Sequence, residues 1–409
     1  MSSSILHLSA ANSQTGAGIA CLNIHSELLR QGIDSKVLFL KNNGYQAEGI
    51  FYFNDSLLNK IVQKLITFFD RIILLFYFKR KNQLFSSNIF GMDISSHALI
   101  KKADIIHLHW INHGFVSINS LSKIRKPLLF TMHDNWLFTG GCHHFFNCRG
   151  FEKTCGQCPT LNSSHTSDLS AIVLARKKKV FMNFNYQLVA ISQWMKNASQ
   201  SSILFKNKEI NVIPSAIDVD FFYLKSSIVC RKEFGFSKTE KIVLIGAQEI
   251  DSPYKGIGLA IEALEKFTAF PLTIITFGNG EIIINNPQHK VKNLGFISSK
   301  EKMASLYAAS DLFFAPSLAE GFGMTVAEAQ ACGTPVLAFR NTGPEDIVQH
   351  QISGYLAHYA DSNDLFTGLN YCLDTDFDQK KFSEMARSKF SIVKTVEDYK
   401  KIYYNLVNK

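Results

Sequence analysis

The sequence predicts an α/β protein made of two doubly wound domains with parallel sheets. Three observations carry that expectation. Short apolar runs alternate with helical patterns along the whole chain. The runs are continuously apolar, as strands buried on both faces require, and do not alternate with polar residues. Finally, 409 residues, 46% hydrophobic and 19% charged, supply two cores of roughly 200 residues each more naturally than one.

Taken in order, Ile5–Leu8 reads as a strand and Asn12–Gly18 as a small polar loop holding Thr15, Gly16 and Gly18. A helical pattern follows through Ile19, Leu22, Ile24, Leu28 and Leu29 until Gly32 stops it. Val37–Leu40, Ile105–Trp110, Leu128–Met132, Leu188–Ile191 and Val212–Ile213 are the further strands of this half. A second series opens at Lys241 with the strand KIVLIGA, a helix at Ile257–Phe267 and the strand PLTIITFG, which ends in Gly278 and Gly280. Lys300–Ser310 reads as a helix, Leu312–Ala315 as a strand, Met324–Ala331 as a helix stopped by Gly333, and Pro335–Phe339 as a strand. The pattern breaks at PSAIDVDFF, which sets domains at 1–215 and 216–390, with a last helix over 391–409 packing back on the first domain. In each doubly wound half, ligand groups belong at the carboxyl ends of the strands.

Composition narrows the class. No repeat, heptad array or Pro/Ser-rich tract is present. MSSSILHLSA has no basic, apolar leader pattern, and the most apolar stretch, Ile72–Phe78, is too short to span a bilayer. A cytoplasmic protein is expected, with its eight cysteines reduced. The formal charge of +9 suits phosphates or anionic surfaces, although solubility alone also accounts for it. Leu57–Phe85 mixes Leu65, Ile66, Phe68 and Phe69 with Lys60, Lys64, Arg71 and Lys79. It is either a membrane-interface helix or a core-facing helix with a solvated basic side.

The most informative segment is PSLAEGFGMTVAEAQACGTPVLAF, residues 316–339. A strand feeds a loop containing Gly321 and Gly323, and a helix begins at once. Such glycines let the backbone approach a ligand, and the free amides of a helix start attract phosphate. Glu320 and Glu328 would repel phosphate, so they belong on hydroxyl groups of a sugar and a ribose. Taken alone, the pair also fits a helix start with one loop Glu in solvent.

Other motifs recur in order. EGFGMTVAEAQACGTPV resembles the E-x7-E signature of family 4 glycosyltransferases with the GT-B fold, in which two Rossmann-like domains face across a cleft. VIPSAIDVDFF resembles that family's interdomain segment, YKGIGLAIEAL its Lys-Gly helix start, and GPEDIV and SGYL its later landmarks. TGAGIA is similar to its N-terminal glycine loop, and TMHD to the strand that ends in an active-site histidine. The resemblance covers nearly the whole chain. It implies a retaining transfer without a divalent metal or other cofactor, from a nucleoside-diphosphate hexose to a glycan or polyprenyl-diphosphate-linked saccharide. The setting it implies is cell-surface polysaccharide synthesis at the inner face of the membrane. Lys255, Gly16 and the amides of Gly323 and Met324 would hold the diphosphate. Glu328 would take the ribose, Glu320 the donor sugar, and His133 the transferred sugar near its reacting carbon.

One position departs from the pattern. Gln248 stands where the family usually carries an Arg, leaving Lys255 and the amides, or these with another base such as Arg340, to balance the diphosphate. His107 and His109 in HLHW share one side of a strand, and packed imidazoles explain them more simply than metal ligation does. Cys142, Cys148, Cys155 and Cys158 follow C-x5-C-x6-C-x2-C, which suits a structural zinc site or a metal-free loop. Three competing readings are an NAD-dependent oxidoreductase, a nucleic-acid binder and a nonenzymatic sugar-binding scaffold. The first lacks a full G-x-G-x-x-G and the second any recognition motif, so no nucleic-acid partner is expected. The third would not need Lys255 and Glu328 together.

Overall fold

A computed structural model describes residues 3–408, and the chain divides into two compact units. The first is Met1–Pro214 with Thr395–Lys409, and the second is Ser215–Lys394. Strands of the first unit are β1 (Ile5–Ser9), β2 (Ser35–Phe39), β3 (Ile50–Tyr52), β4 (Ile105–Leu108), β5 (Leu128–Met132), β6 (Tyr186–Ala190) and β7 (Ile210–Val212). They pair in parallel in the order β3-β2-β1-β4-β5-β6-β7. Helices α1 (Gly16–Arg30), α2 (Leu57–Ile72), α3 (Ala98–Lys102), α4 (Leu169–Phe181) and α5 (Gln193–Ser201) connect them.

The second unit runs α6 (Ser227–Glu233), β8 (Lys241–Glu249), α7 (Ile257–Lys266), β9 (Leu272–Asn279), β10 (Lys290–Asn293), α8 (Lys300–Ala309), β11 (Leu312–Ala315), α9 (Met324–Ala331), β12 (Val336–Phe339), β13 (Gly354–Ala357), α10 (Ser362–Asp374) and α11 (Gln379–Phe390). Its sheet is also parallel, in the order β10-β9-β8-β11-β12-β13. Helix α12 (Ile392–Val407) follows, and its residues from Thr395 onward belong to the first unit. In both sheets the strand order reverses beside the first strand, between β1 and β4 and between β8 and β11. That reversal opens the crevice in which doubly wound sheets bind ligands.

The central strands are buried along their length: Ile5, Leu6 and Leu8 of β1 and Ile242–Ile245 of β8 are at most 1% exposed. Continuous burial explains why these strands read as apolar runs. Helix α2 is the reverse of a core-facing amphipathic helix. Its buried residues are Gln63 and Asp70, while its leucines and phenylalanines face outward. It also ends at Ile72, and a turn of 3-10 helix carries the chain to Phe76. Among the described residues no helix is long and apolar enough to cross a membrane.

Candidate active site

In the second unit the register of β8 with β11 places the loops leaving both strands side by side. The Tyr254 carbonyl accepts from the amides of Leu318 and Ala319 at 2.8 and 3.2 Å, which fastens the Lys255 turn to the loop before Glu320. Gly256 lies at φ +66°, and a Cβ there would come within 2.1 Å of the Pro316 carbonyl oxygen, so only glycine permits this approach. Lys255 Nζ consequently reaches Glu320 Oε2 at 2.7 Å, both side chains half-buried in one crevice lined also by Gly246, Ser317, Thr325 and Pro344. Burial pulls the Lys255 ammonium down, but the charge and hydrogen bond of Glu320 more than offset it and hold its pKa above the ordinary lysine value.

Gly323 caps α9 at φ +98°, leaving the amides of the first turn, Met324 among them, at the mouth of this crevice. The GPED turn closes the far side, where the Gly343 amide donates to the Glu320 carbonyl at 2.8 Å. Glu328 sits farther along α9, accepting from the Tyr307 hydroxyl at 3.3 Å. Burial drives its carboxyl up to about 8 against the opposing effects of Tyr307 and Lys300, so it holds a proton at neutral pH. The carboxylate expected at this position is thus a carboxylic acid, able to donate as well as accept. Gln248 is exposed at the irregular end of β8. Arg340 is tied to the Leu356 carbonyl at 2.9 Å and is not among the residues lining the crevice.

In the first unit, Gly16 begins α1 with nothing within 4 Å of where its Cβ would lie. The steric demand falls on Gly18, whose Cβ would lie 1.7 Å from the Asn12 carbonyl oxygen. His133 follows β5 and meets a partner the sequence reading set aside. His109 Nδ1 lies 2.9 Å from His133 Nε2, and His109 Nε2 lies 3.0 Å from His7 Nδ1. Three imidazoles from β1 and from the ends of β4 and β5 therefore form one buried chain. Beside it, His107 bonds Tyr403 and Thr131, each at 2.8 Å, and Thr131 bonds Tyr399 at 2.8 Å, so α12 seals the network. Burial lowers the pKa of His7, His107 and His109 well below the ordinary value and that of His133 to about 4, which keeps all four neutral at pH 7.

Next to His133, Asp134 accepts from the Trp110 indole at 2.7 Å, from His143 at 2.6 Å and from the Trp136 amide at 2.8 Å. Burial raises its carboxyl, but the His143 contact and these donors win and hold it at about 2. Lys177, fully buried on α4, caps the carbonyls of Trp136 and Thr139 and lies 3.7 Å from the Trp136 ring centroid. Burial brings its ammonium down to about 7. Nothing in the sequence pattern of α4 marked this lysine as interior.

The four loop cysteines are neighbours, the Cys142 thiol feeling those of Cys148, Cys155 and Cys158, but no three of their sulfurs fall within 4.8 Å of one another. All are free thiols. Among the described residues the one group with three ligand atoms within 4.8 Å of one another is His7, His107 and His109. Each cysteine has its own backbone anchor: Cys142 bridges Phe85, the Cys148 amide donates to the Phe145 carbonyl, the Cys155 amide to the Gly150 carbonyl and the Cys158 amide to Asp168. Burial raises the Cys142 thiol strongly and Cys155 to about 12, and the neighbouring thiols add to both shifts. The histidine group is no better suited. Both nitrogens of His107 and of His109 are already engaged in hydrogen bonds, leaving only His7 Nε2 unpartnered. Asp-x-Asp triplets occur at 218–220, 374–376 and 376–378. There Asp218 pairs with Lys300 at 2.8 Å and Asp378 caps α11, and none of these aspartates joins a ligand group of that kind.

Two parallel doubly wound sheets, with the Lys255–Glu320 crevice and a helix start at the carboxyl edge of the second, match the GT-B class of glycosyltransferase fold. A crystal structure of Anabaena HepE in complex with UDP-glucose matches this fold with a TM-score of 0.67 at 18% identity, covering 98% of this chain and 100% of that one. Residues 15–221 match the model described as Glycosyltransferase Family 4, and residues 229–389 that described as Glycosyl transferases group 1. The chain belongs to glycosyltransferase family 4. A putative colanic acid biosynthesis glycosyl transferase of Escherichia coli (strain K12) is 23% identical over 373 residues, covering 84% of this chain and 85% of its own. The N-acetyl-alpha-D-glucosaminyl L-malate synthase of Bacillus anthracis is 29% identical over 212 residues, 49% of this chain, and the match spans only 55% of that enzyme's length.

Proposed function

We propose that the protein is a retaining, metal-independent glycosyltransferase. It moves a hexose-type sugar from a nucleoside diphosphate to a glycan or polyprenyl-diphosphate-linked saccharide during synthesis of a cell-surface polysaccharide. The observation that carries this reading is the Lys255–Glu320 pair at the amino end of α9, with Glu328 half-buried farther along the same helix. The HepE complex with UDP-glucose supports a nucleotide-sugar donor, and the colanic acid relative supports the polysaccharide setting.

In this reading the donor diphosphate, more densely charged than a carboxylate, takes the Lys255 ammonium and the Gly323 and Met324 amides. Glu320 is released to accept hydrogen bonds from donor-sugar hydroxyls. Protonated Glu328 pairs with the ribose, and the open helix start at Gly16 gives a second diphosphate contact. The bond from the anomeric carbon to the diphosphate oxygen breaks with its electron pair leaving on the diphosphate. The acceptor oxygen bonds to the same face of that carbon and passes its proton to the departing diphosphate oxygen. Neutral His133 hydrogen-bonds the sugar while positive charge develops in its ring, and Lys255 with the amides stabilises the leaving group.

Screening the protein against nucleoside-diphosphate hexoses tests the reading. One donor should raise the melting temperature and be slowly hydrolysed, and Lys255→Met should weaken its binding by about 10- to 100-fold, as expected for a charge-assisted contact. Donor binding with no turnover on any saccharide acceptor would leave a sugar-binding scaffold instead. The product should keep the donor's anomeric configuration by NMR, and activity should survive EDTA.

A further inference from the structure

Helix α2 turns its polar side chains into the first unit and its apolar ones out. Asp70 accepts from the Ser87 hydroxyl and from the amides of Asn88 and Phe90. Gln63 donates to Thr67 and to the His113 carbonyl and accepts from Asn54. These inward bonds fix the roll of the helix, so its apolar side cannot turn to the core without stranding a buried carboxylate and amide. Leu57, Leu58, Ile61, Leu65, Phe68 and Phe69 are between 48% and 75% exposed. At 3.6 residues per turn they occupy one arc of roughly 120°. The 3-10 turn extends the surface through Leu75 and Phe76, 69% and 80% exposed, to Phe78 at 84%.

A monomer in water does not leave so long an apolar stripe uncovered without a use for it. The charges beside it say what covers it. Lys60, Lys64 and Arg71 project along one edge of the stripe, and Lys79, Arg80 and Lys81 follow its end, all exposed. A second copy laid on the same face would bring like charges together, along the shared edge if antiparallel and at the shared end if parallel. A bilayer bearing anionic headgroups accepts the apolar side chains and neutralises the cations together.

We infer that α2 and the turn after it form a docking surface for an anionic lipid membrane, with the phenylalanines and leucines entering the headgroup–acyl boundary. The inference does not depend on the donor or the reaction, and its test uses neither.

The full chain is sedimented with vesicles of phosphatidylcholine alone and of phosphatidylcholine with phosphatidylglycerol, at low and high salt. Binding to the anionic vesicles should exceed binding to the neutral ones by at least tenfold and weaken with salt. The double variant Leu65→Asp, Phe69→Asp alters two exposed positions, so its melting temperature should match the parent while vesicle binding falls at least tenfold. Separately, charge reversal at Lys60 and Lys64 should remove the preference for anionic lipid. The inference is overturned if the parent does not bind anionic vesicles, if the double variant binds as the parent does, or if light scattering shows a dimer that the double variant dissolves.

Discussion

His133 has two ring nitrogens with different surroundings. Nε2 faces His109, and the chain continues to His7, whose own Nε2 is buried with no partner. Each neutral imidazole carries one N–H, so the chain has two polarities. One leaves a bare lone pair at His7 Nε2, and the other leaves a buried N–H there. Stranded donors are rarer in proteins than stranded acceptors, and an unmet buried polar group costs about 1–3 kcal/mol. The first polarity follows, and it places the proton of His133 on Nδ1, pointing away from the chain. We therefore expect nitrogen-15 shifts of His133 to report a single Nδ1–H tautomer in the parent and a mixture in His109→Phe. His133→Ala should lower kcat by about 100-fold with donor affinity kept, as for loss of one transition-state contact. His109→Phe, acting through His133, should lower it less. Glu328 gives a second test at this scale. Its pKa rises from 4.5 to about 8 on folding, so the folded state holds the extra proton between those values and loses stability as pH rises through that window. Glu328→Gln removes the penalty. The variant should melt above the parent at pH 8.5 and approach it at pH 5.5, while binding donor more weakly.

Among elements, the central strands were legible because burial on both faces makes them uninterrupted apolar runs. Strand β10, Lys290–Asn293, carries two lysines on a sheet edge and gives no such signal, and the three residues of β3 are too few to show a period. For α2 the spacing disclosed an apolar stripe but not its direction. Direction is decided by tertiary partners of Gln63 and Asp70 that lie far away in sequence. The crevice around Lys255 and Glu320 was readable because its loop and helix are contiguous, whereas the imidazole chain joins residues 7, 109 and 133 from separate strands. A motif can point to the right loop and miss the residue under steric demand: Gly18→Ala should cost about 1–3 kcal/mol in urea unfolding, since its Cβ meets the Asn12 carbonyl. Gly16→Ala should change stability by less than about 0.5 kcal/mol. Any loss it causes should appear in donor binding alone.

For the whole molecule, the two units answer pH differently. His7, His107, His109, His113 and His133 of the first unit all have lowered pKa values, two of them at about 4. The unfolded chain binds protons there from 6.5 downward and the folded chain does not, so this stability is complete above pH 6.5 and lost as pH falls toward 4. Glu328 gives the second unit the opposite slope. Scanning calorimetry should therefore show one of two transitions moving to lower temperature between pH 6.5 and 4.5. Replacing the five histidines' environment by removal of α12 should destabilise that same transition.

The return of the chain to its first unit also sets an order of events during synthesis. Tyr399 and Tyr403 bond Thr131 and His107 from a helix that is translated only after the entire second unit. Until then the first sheet has its strands but not its last covering helix, and two buried polar side chains lack their partners. The domain that leaves the ribosome first is the one completed last. A nascent chain stalled just before α12 should carry a folded second unit beside a protease-sensitive first one.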